Sequence, residues 1–301
     1  MTLAHEFRAQ VDADDTFRRL LSSSEQLSYD PNSEIDWETP LDPTHYGLNP
    51  EWSTLYGTPL WSEMSEEQRI TLTRHEVGSI MMTGIWFEMI LQQMILRDQY
   101  VKDPAQAEFR FALTEIADEC RHSLMFARAC SAMGVPQYKP HRINIELARF
   151  LKTTAFGETS YGAILVAEEM LDVMQRDWMR GDNVLEIVRG TSRIHVVEEA
   201  RHMAFARAEM RDRLADVWAP RRQLAAKVIS IAAYVIATSM VRGDVYANAG
   251  LDKDRAMREA KENQHHHNLM RLSSIHLMDF LSECRLLTKA SVPWYRAAHM
   301  L

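Results

Sequence analysis

One spacing of glutamate and histidine occurs twice in this chain and constrains its fold more than any other feature. Each copy reads Glu-x30-Glu-x2-His. The two copies consist of Glu88, Glu119 and His122, and of Glu168, Glu199 and His202. Residues three apart lie on one face of a helix, so each Glu-x-x-His pair can direct a carboxylate and an imidazole to one point. A separation of 31 positions fits two antiparallel helices joined by a short turn, which brings the upstream glutamate level with the pair.

The remaining sequence favours helices throughout. Only 11 Gly and 10 Pro occur in 301 residues, and no segment alternates as a strand does. Capping and stop signals predict six helices, over about residues 65–100, 103–133, 142–180, 182–218, 220–246 and 252–288. The two hairpins, packed together, predict an all-α, ferritin-like four-helix bundle that carries a dimetal carboxylate site and extra helices.

The first 62 residues have a different composition. Five prolines punctuate residues 1–62, which predicts an irregular N-terminal arm with one short helix. Trp37, Trp52 and Trp61 argue against a disordered leader, because disordered segments contain few aromatic residues. We therefore predict that residues 1–62 form an arm that packs on a ferritin-like domain formed by residues 63–301.

Glutamates inside such a bundle require cations. Burying an unpaired carboxylate is costly, and two divalent metals would balance four carboxylates. Carboxylate and imidazole ligands suit iron, with manganese as an alternative. His195 lies four residues before Glu199, on the same helix face, and adds a further imidazole. The candidate metal ligands are Glu88, Glu119, His122, Glu168, His195, Glu199 and His202.

Several neighbouring residues qualify the ligand set. Glu169 is a rival to Glu168, and the repeated spacing favours Glu168. Glu115 occupies the position equivalent to His195, four residues before Glu119, and is a further residue that can point inward. Residues beside the ligands can orient the imidazoles from behind. The candidates for that role are Asp118, Arg121, Glu198 and Arg201.

This pattern resembles the p-aminobenzoate N-oxygenase (AurF-like) family of non-haem di-iron oxygenases, most specifically in the extra imidazole of His195. The resemblance implies that Glu119 and Glu199 bridge two irons. It further implies that Glu88 and His122 complete one iron, and that the other iron is completed by Glu168, His195 and His202. It also implies O2 as co-substrate, an external electron donor or redox partner, an amine substrate oxidised to a hydroxylamine or nitro group, and a homodimer.

The substrate is less defined than the ligands. A carboxylated arylamine needs a cation, yet no Lys or Arg occurs between Glu76 and Glu88. Arg242 or Arg271 would then have to supply it, and a neutral arylamine, an aliphatic amine or an amino acid are alternatives. Pocket residues can only be guessed from the sequence. The candidates are Met81, Met82, Trp86, Phe126 and Tyr161.

Other functions of the same architecture stay open. A di-iron enzyme can hydroxylate or desaturate C–H bonds, and a bundle can bind or store iron without catalysis. A net charge of −8 argues against nucleic acid as a partner. The longest apolar run, residues 228–241, is too short to span a bilayer, so no membrane partner is expected. Three scattered cysteines and a polar N-terminus predict a cytoplasmic protein.

Overall fold

The computed structural model describes the backbone of residues 3–301 and the side chains of residues 14–301. Within that part of the chain the secondary structure is helical, and the single β contact is an isolated parallel bridge between Tyr46 and Val184. The α-helices in chain order are α1 Leu3–Gln26, α2 Pro31–Glu34, α3 Pro59–Glu63, α4 Glu66–Gln99, α5 Ala107–Ala132, α6 Arg142–Thr154, α7 Glu158–Trp178, α8 Glu186–Ala215, α9 Ala219–Ser239, α10 Asp244–Asn248, α11 Lys253–Glu262, α12 Gln264–Ser273, α13 Ile275–Glu283 and α14 Val292–Ala297. A 3-10 turn covers Pro50–Trp52.

Helices α4, α5, α7 and α8 form the four-helix core. The first hairpin pairs α4 with α5 and the second pairs α7 with α8, and further contacts join α5 to α8 and α4 to α7. A capping box starts α4, where the Ser65 side chain accepts from the Gln68 backbone and the Gln68 side chain accepts from the Ser65 backbone. The predicted all-α bundle of two helical hairpins is confirmed.

The later helices cover one side of this core. Helix α9 packs on α7 and is itself covered by α14, while α12 and α13 also contact α7. The approach of α9 to α7 is close because Gly162 lacks a side chain. A Cβ atom on Gly162 would lie 2.3 Å from Cδ1 of Ile229.

Three predicted helices are broken. The third divides into α6 and α7 at Gly157, whose φ of +54° is a left-handed conformation that glycine adopts without steric cost. The fifth ends at Ser239, ahead of the separate short helix α10. The sixth divides into α11, α12 and α13, because Asn263 leaves the helix to cap α12 and Ser274 interrupts it again. The second helix starts at Ala107, since Asp103 caps only a preceding turn.

The arm contains a long first helix, so the prediction of a short one is wrong. Helix α1 is 24 residues long and packs against α5 and α8. Phe17 meets Phe205 of α8 edge to face, with ring centroids 5.3 Å apart. Trp52 and Trp61 are buried, and the indole of Trp52 donates to Asp177. The residues of the arm with described side chains therefore belong to the folded unit.

Two helical segments are apolar enough to resemble membrane spans. By length and composition alone, Glu66–Gln99 and Ala219–Asn248 would suffice to cross a bilayer. About half of each apolar window, 56% and 50%, is buried inside the chain, and α4 carries the buried carboxylates of Glu76 and Glu88. The core helices of a bundle give the same pattern, and the absence of a membrane partner stays a prediction.

Replacement of Gly47 by alanine tests the packing of the arm. A Cβ atom there would lie 2.4 Å from the Thr73 carbonyl oxygen and 2.5 Å from Arg74 Cα, both backbone atoms of α4. We expect Gly47→Ala to lower the free energy of unfolding by about 1–3 kcal/mol, measured by denaturant unfolding.

Gly84 in α4 supplies the matched control. Its added Cβ would meet only Phe126, at 3.9 Å, and alanine is the better helix former. Gly84→Ala is expected to be neutral or to stabilise by up to about 1 kcal/mol. Equal changes in the free energy of unfolding for the two substitutions would show that the arm does not pack closely against α4 at Gly47.

Candidate metal centre

The four core helices bring all seven candidate ligands together in two adjacent buried groups. Within each group, one ligand atom from every residue lies within 4.8 Å of the others. The first group consists of Glu88, His122 and His195, and the second of Glu119, Glu168, Glu199 and His202. Helices α4 and α7 each supply one glutamate, and α5 and α8 supply the Glu-x-x-His pairs. This is the arrangement that ferritin-like dimetal proteins use.

Two histidines direct their Nδ1 atoms into the centre. Nδ1 of His122 lies 3.4 Å from Glu119 Oε2 and 3.4 Å from Glu199 Oε1. Nδ1 of His202 lies 3.0 Å from Glu119 Oε1 and 3.3 Å from Glu199 Oε1. Glu119 and Glu199 thus lie between the two imidazoles, where carboxylates can be shared by two metals.

The outward nitrogens of the same imidazoles are held by a crossed pair of carboxylates. Nε2 of His122 in α5 lies 2.7 Å from Glu198 of α8. Nε2 of His202 in α8 lies 3.2 Å from Asp118 of α5. An Nε2–H that donates to a carboxylate leaves the Nδ1 lone pair free for a metal and fixes the ring orientation.

Two arginines and the arm close this network from outside. Arg121 is paired with Asp118, and Arg201 lies 3.6 Å from the same carboxylate. The arm adds backbone groups, because the Tyr29 N–H donates to Glu198 at 3.1 Å and the Leu27 carbonyl accepts from Arg201 at 3.2 Å. All four residues singled out for orienting the imidazoles therefore lie in one network of hydrogen bonds and ion pairs.

His195 lies on a different side of the centre from the one the family resemblance implied. The resemblance placed it with Glu168 and His202, whereas its Nε2 lies 3.8 Å from Glu88, and its ring centroid is 4.7 Å from that of His122. The helix explains this placement. His195 and His202 flank Glu199 from opposite directions and are separated by about 10 Å of helix rise. His195 therefore leans toward Glu88, while His202 leans toward Glu168.

The charge balance of the centre fits metal ions. Both oxygens of Glu168 and one of Glu199 are buried with no hydrogen-bond partner. No Lys or Arg among the residues with described side chains pairs with any of the four ligand glutamates. A third acidic group, formed by Asp98, Glu108 and Glu209, is different. Lys102 and Arg213 are paired with it, so the chain supplies the cations there and not at the centre.

Glu115 is a further inward carboxylate. It is fully buried, and neither of its oxygens has a hydrogen-bond partner. Burial, together with the charges of Glu119 and Glu199, raises the pKa of Glu115 well above its usual value. Burial and the charge of Glu199 likewise raise the pKa of Glu168 well above its usual value. Without a metal, both carboxyl groups tend to keep their protons.

The rival residues have other roles. Glu169 is paired with Arg207, so the spacing was the right guide to Glu168. His265 and His267 bond to the backbone carbonyls of Glu51 and Lys261, outside both ligand groups. Cys120, next to ligand Glu119 in the sequence, is exposed, because its side chain points away from the ligand face of α5.

An apolar cavity of about 870 Å³ lies near the centre, although none of the seven ligands lines it. Helices α4, α6, α7 and α9 form its wall. The wall includes Leu91, three residues after ligand Glu88, and Ile164, four residues before ligand Glu168. Residues at those spacings share a helix face, so the inner end of the cavity lies within one helical turn of two ligands.

The sequence did not reveal this cavity. Of the five guessed pocket residues only Trp86 lies in its wall. Tyr161 donates instead to Asp98, and Phe126 packs on His195. Neither Arg242 nor Arg271 lines the cavity, where the one arginine is Arg221. Arg221 belongs to α9 and pairs with Glu158, the residue that follows the unforeseen break at Gly157.

The chain is a helical bundle with two buried carboxylate and histidine groups that could hold metal ions, and sequence comparison gives the family. The family model for p-aminobenzoate N-oxygenase AurF matches residues 10–285. The chain therefore belongs to the AurF family, whose members are helical di-iron oxygenases.

The names of the curated relatives do not state a function. Uncharacterised proteins of Mycobacterium tuberculosis and Mycobacterium bovis are each 28% identical over 207 residues. The match covers 65% of this chain and 59% of each relative. The chain thus spans less than two thirds of the length of these relatives.

Removal of an outward carboxylate is expected to weaken metal binding while sparing the ligands. Asp118→Asn replaces the charged carboxylate that holds His202 with a neutral amide, a weaker acceptor, and losses of this kind typically reduce metal affinity by about 10- to 100-fold. Competition between the protein and a chelator for ferrous or cobaltous ion measures the change. Glu186→Gln, an exposed change on the same helix as His202, should leave the affinity unaltered. Equal affinities for all three proteins would contradict the assigned role.

The metal-free chain is expected to lose stability as the pH rises above 4.5, and further as it rises above 6.5. Glu115 and Glu168 have raised pKa values, and hydrogen bonds and carboxylate charges outweigh burial to raise those of His122 and His202 as well. Each group holds its proton more tightly when folded. Its contribution is therefore complete below the unfolded pKa, 4.5 for Glu and 6.5 for His, and is lost as the pH rises through the folded pKa.

Unfolding midpoints recorded against pH test this linkage. The slope should reach about 1.4 kcal/mol per pH unit for each proton released. Glu119 and Glu199 have lowered pKa values, so their opposite effect is confined to pH below 4.5. Bound divalent metal should flatten the profile above pH 6.5. A metal-free profile that is already flat would contradict the burial of these groups.

Proposed function

We propose that this chain is an O2-dependent di-iron oxygenase that transfers oxygen to the nitrogen of a small-molecule amine. The observation that carries the proposal is the pair of buried ligand groups. They contain seven residues, and several of their carboxylate oxygens have no hydrogen-bond partner among the described side chains. Membership of the AurF family supports oxidation at nitrogen. Manganese is the alternative metal, since the same ligands accept it.

The reaction must balance in atoms and electrons. Conversion of an amine to a hydroxylamine places one atom of O2 on nitrogen and releases the other as water, which requires two electrons and two protons from an external donor. A ferrous pair held by the two ligand groups would supply the electrons that activate O2. Further rounds of the same stoichiometry lead toward the nitro group.

The chain's own residues bind, orient and exclude water. The four ligand glutamates and three histidines would hold the metals. Asp118 and Glu198 keep the Nδ1 atoms of the two Glu-x-x-His imidazoles facing inward. The hydrocarbon wall beside Glu88 and Glu168 admits an organic substrate while keeping bulk water from the reacting atoms.

A C–H hydroxylase or desaturase is the second candidate. The apolar wall favours it, since hydrocarbon groups lie next to the ligands. The family favours N-oxygenation, so we rank the C–H reaction second. Non-catalytic iron storage is a third reading, and the number of irons bound per chain distinguishes it.

The cellular setting of this activity extends the proposal. A reductant or redox partner must deliver the electrons. We place the protein in the cytoplasm, in keeping with three free cysteines. A homodimer remains our expectation from the family.

Iron reconstitution tests the proposed reaction. We expect about two ferrous ions per chain, a stoichiometry set by the two ligand groups. The reduced protein, exposed to ¹⁸O2 with an arylamine, should yield a hydroxylamine or nitro product that contains ¹⁸O, detected by mass spectrometry.

Two variants separate metal binding from folding. Glu199→Ala and His202→Ala should lower the iron content and reduce product formation by at least about 100-fold, because each removes a ligand. Glu186→Gln serves again as the exposed control. Label found only on carbon would favour the C–H reaction, and tens of irons per chain would favour storage. Protein that binds no stoichiometric metal would overturn the whole proposal.

A further inference from the structure

We propose that the substrate is a neutral, apolar amine with an extended hydrocarbon body and no acidic group, which occupies the cavity between α4, α6, α7 and α9. This inference rests on the proposed function, because it places the amine end at the metal centre. It departs from p-aminobenzoate, the compound in the family's name, which is small and carries a carboxylate.

The size and chemistry of the cavity carry the first step. A volume of about 870 Å³ lies near the upper end of ordinary ligand pockets, which span about 300–1,000 Å³. Aliphatic and aromatic side chains form nearly all of the wall, and the polar exceptions are Thr154, Glu158, Thr159 and Arg221. A small benzoate would leave most of this space unfilled, whereas a long hydrocarbon can fill it.

The position of the cavity gives the direction of binding. Its inner end lies beside Leu91 and Ile164, one helical turn from Glu88 and Glu168. Its outer rim is also apolar, with Phe150 of α6 68% exposed and Leu224 of α9 62% exposed. Between Leu91 and Ile164 at one end and this rim at the other, the charged residues that line the described wall are Glu158 and Arg221, which pair with each other.

The single ion pair in the wall excludes an acidic substrate. Arg221 donates through Nε and Nη2 to the two carboxylate oxygens of Glu158, at 2.8 and 2.9 Å. Glu158 is 1% exposed, so its charge is neutralised by this arginine and not by water. Among the described residues Arg221 is the only cation in the wall, and a substrate carboxylate would find it already paired.

A homologous series of 4-alkylanilines tests the proposal on the iron-loaded protein under anaerobic conditions. Each methylene buried in an apolar site strengthens binding by about fourfold. We expect the dissociation constant, measured by calorimetry, to fall steadily from the methyl to the octyl compound. p-Aminobenzoate should bind at least about 100-fold more weakly than the octyl compound, as expected for several unburied methylenes.

Cavity variants locate the site. Ala232 of α9 is buried in the wall. Ala232→Phe should therefore weaken binding of the octyl compound by at least tenfold and leave binding of the methyl compound unchanged. Ala219→Phe, an exposed change on the same helix, is the matched control. Phe150→Ser changes an exposed residue of the rim and not the packed core. It serves as the second cavity variant if Ala232→Phe folds poorly.

Glu158→Gln provides the reverse test. The amide retains the shape of the carboxylate but leaves Arg221 with an unbalanced charge. p-Aminobenzoate should then bind at least tenfold more tightly than to the unaltered protein, while 4-methylaniline should be unaffected.

The outcomes separate this inference from the proposed reaction. Affinity that does not change with chain length, or p-aminobenzoate that binds as tightly as the octyl compound, would overturn the inference even if the protein N-oxygenates p-aminobenzoate. Chain-length dependence that Ala232→Phe or Phe150→Ser abolishes would support it, even if oxidation occurs at carbon and the N-oxygenation proposal fails.

Discussion

The whole structure depends on negative charge buried where residues 14–301 provide no lysine or arginine to balance it. Four ligand glutamates lie between α4, α5, α7 and α8, and both oxygens of Glu168 lack any partner. Such a core is costly unless protons or metals neutralise it. The raised pKa values of Glu115 and Glu168 favour neutralisation by protons when no metal is bound. Two divalent metals would neutralise the same charge when bound. Folding and metal binding are thus coupled.

The same carboxylate chemistry ties the two hairpins together. Asp118 of the first hairpin holds His202 of the second, and Glu198 of the second holds His122 of the first. Each Glu-x-x-His helix therefore completes the other's imidazole, and neither hairpin can form a full site alone. The arm reinforces this link, because its Tyr29 amide bonds to Glu198. A segment that looked like an accessory in the sequence supports the orientation of a metal-binding imidazole.

The sequence predicted what repeated geometry determines and missed what depends on packing. The 31-residue spacing in both copies follows from hairpin length, so it correctly selected Glu168 over Glu169. The Arg207 that pairs with Glu169 could not be foreseen, because it comes from a different helix. The break at Gly157 depends on a left-handed conformation that an isolated glycine does not announce. The cavity left no signal, since its wall combines ordinary core residues from four helices.

The ligand shell is nearly symmetric, while its surroundings are not. On one side, α5 and α8 are covered by α1 and by charged groups that orient the imidazoles. On the other side, α4 and α7 border a hydrocarbon cavity that opens between α6 and α9. The residues proposed to hold the metals and those proposed to meet the substrate are thereby kept apart. Changes in the cavity wall can alter what is oxidised without disturbing the residues that hold the metals, so one ligand set can serve chemically different substrates.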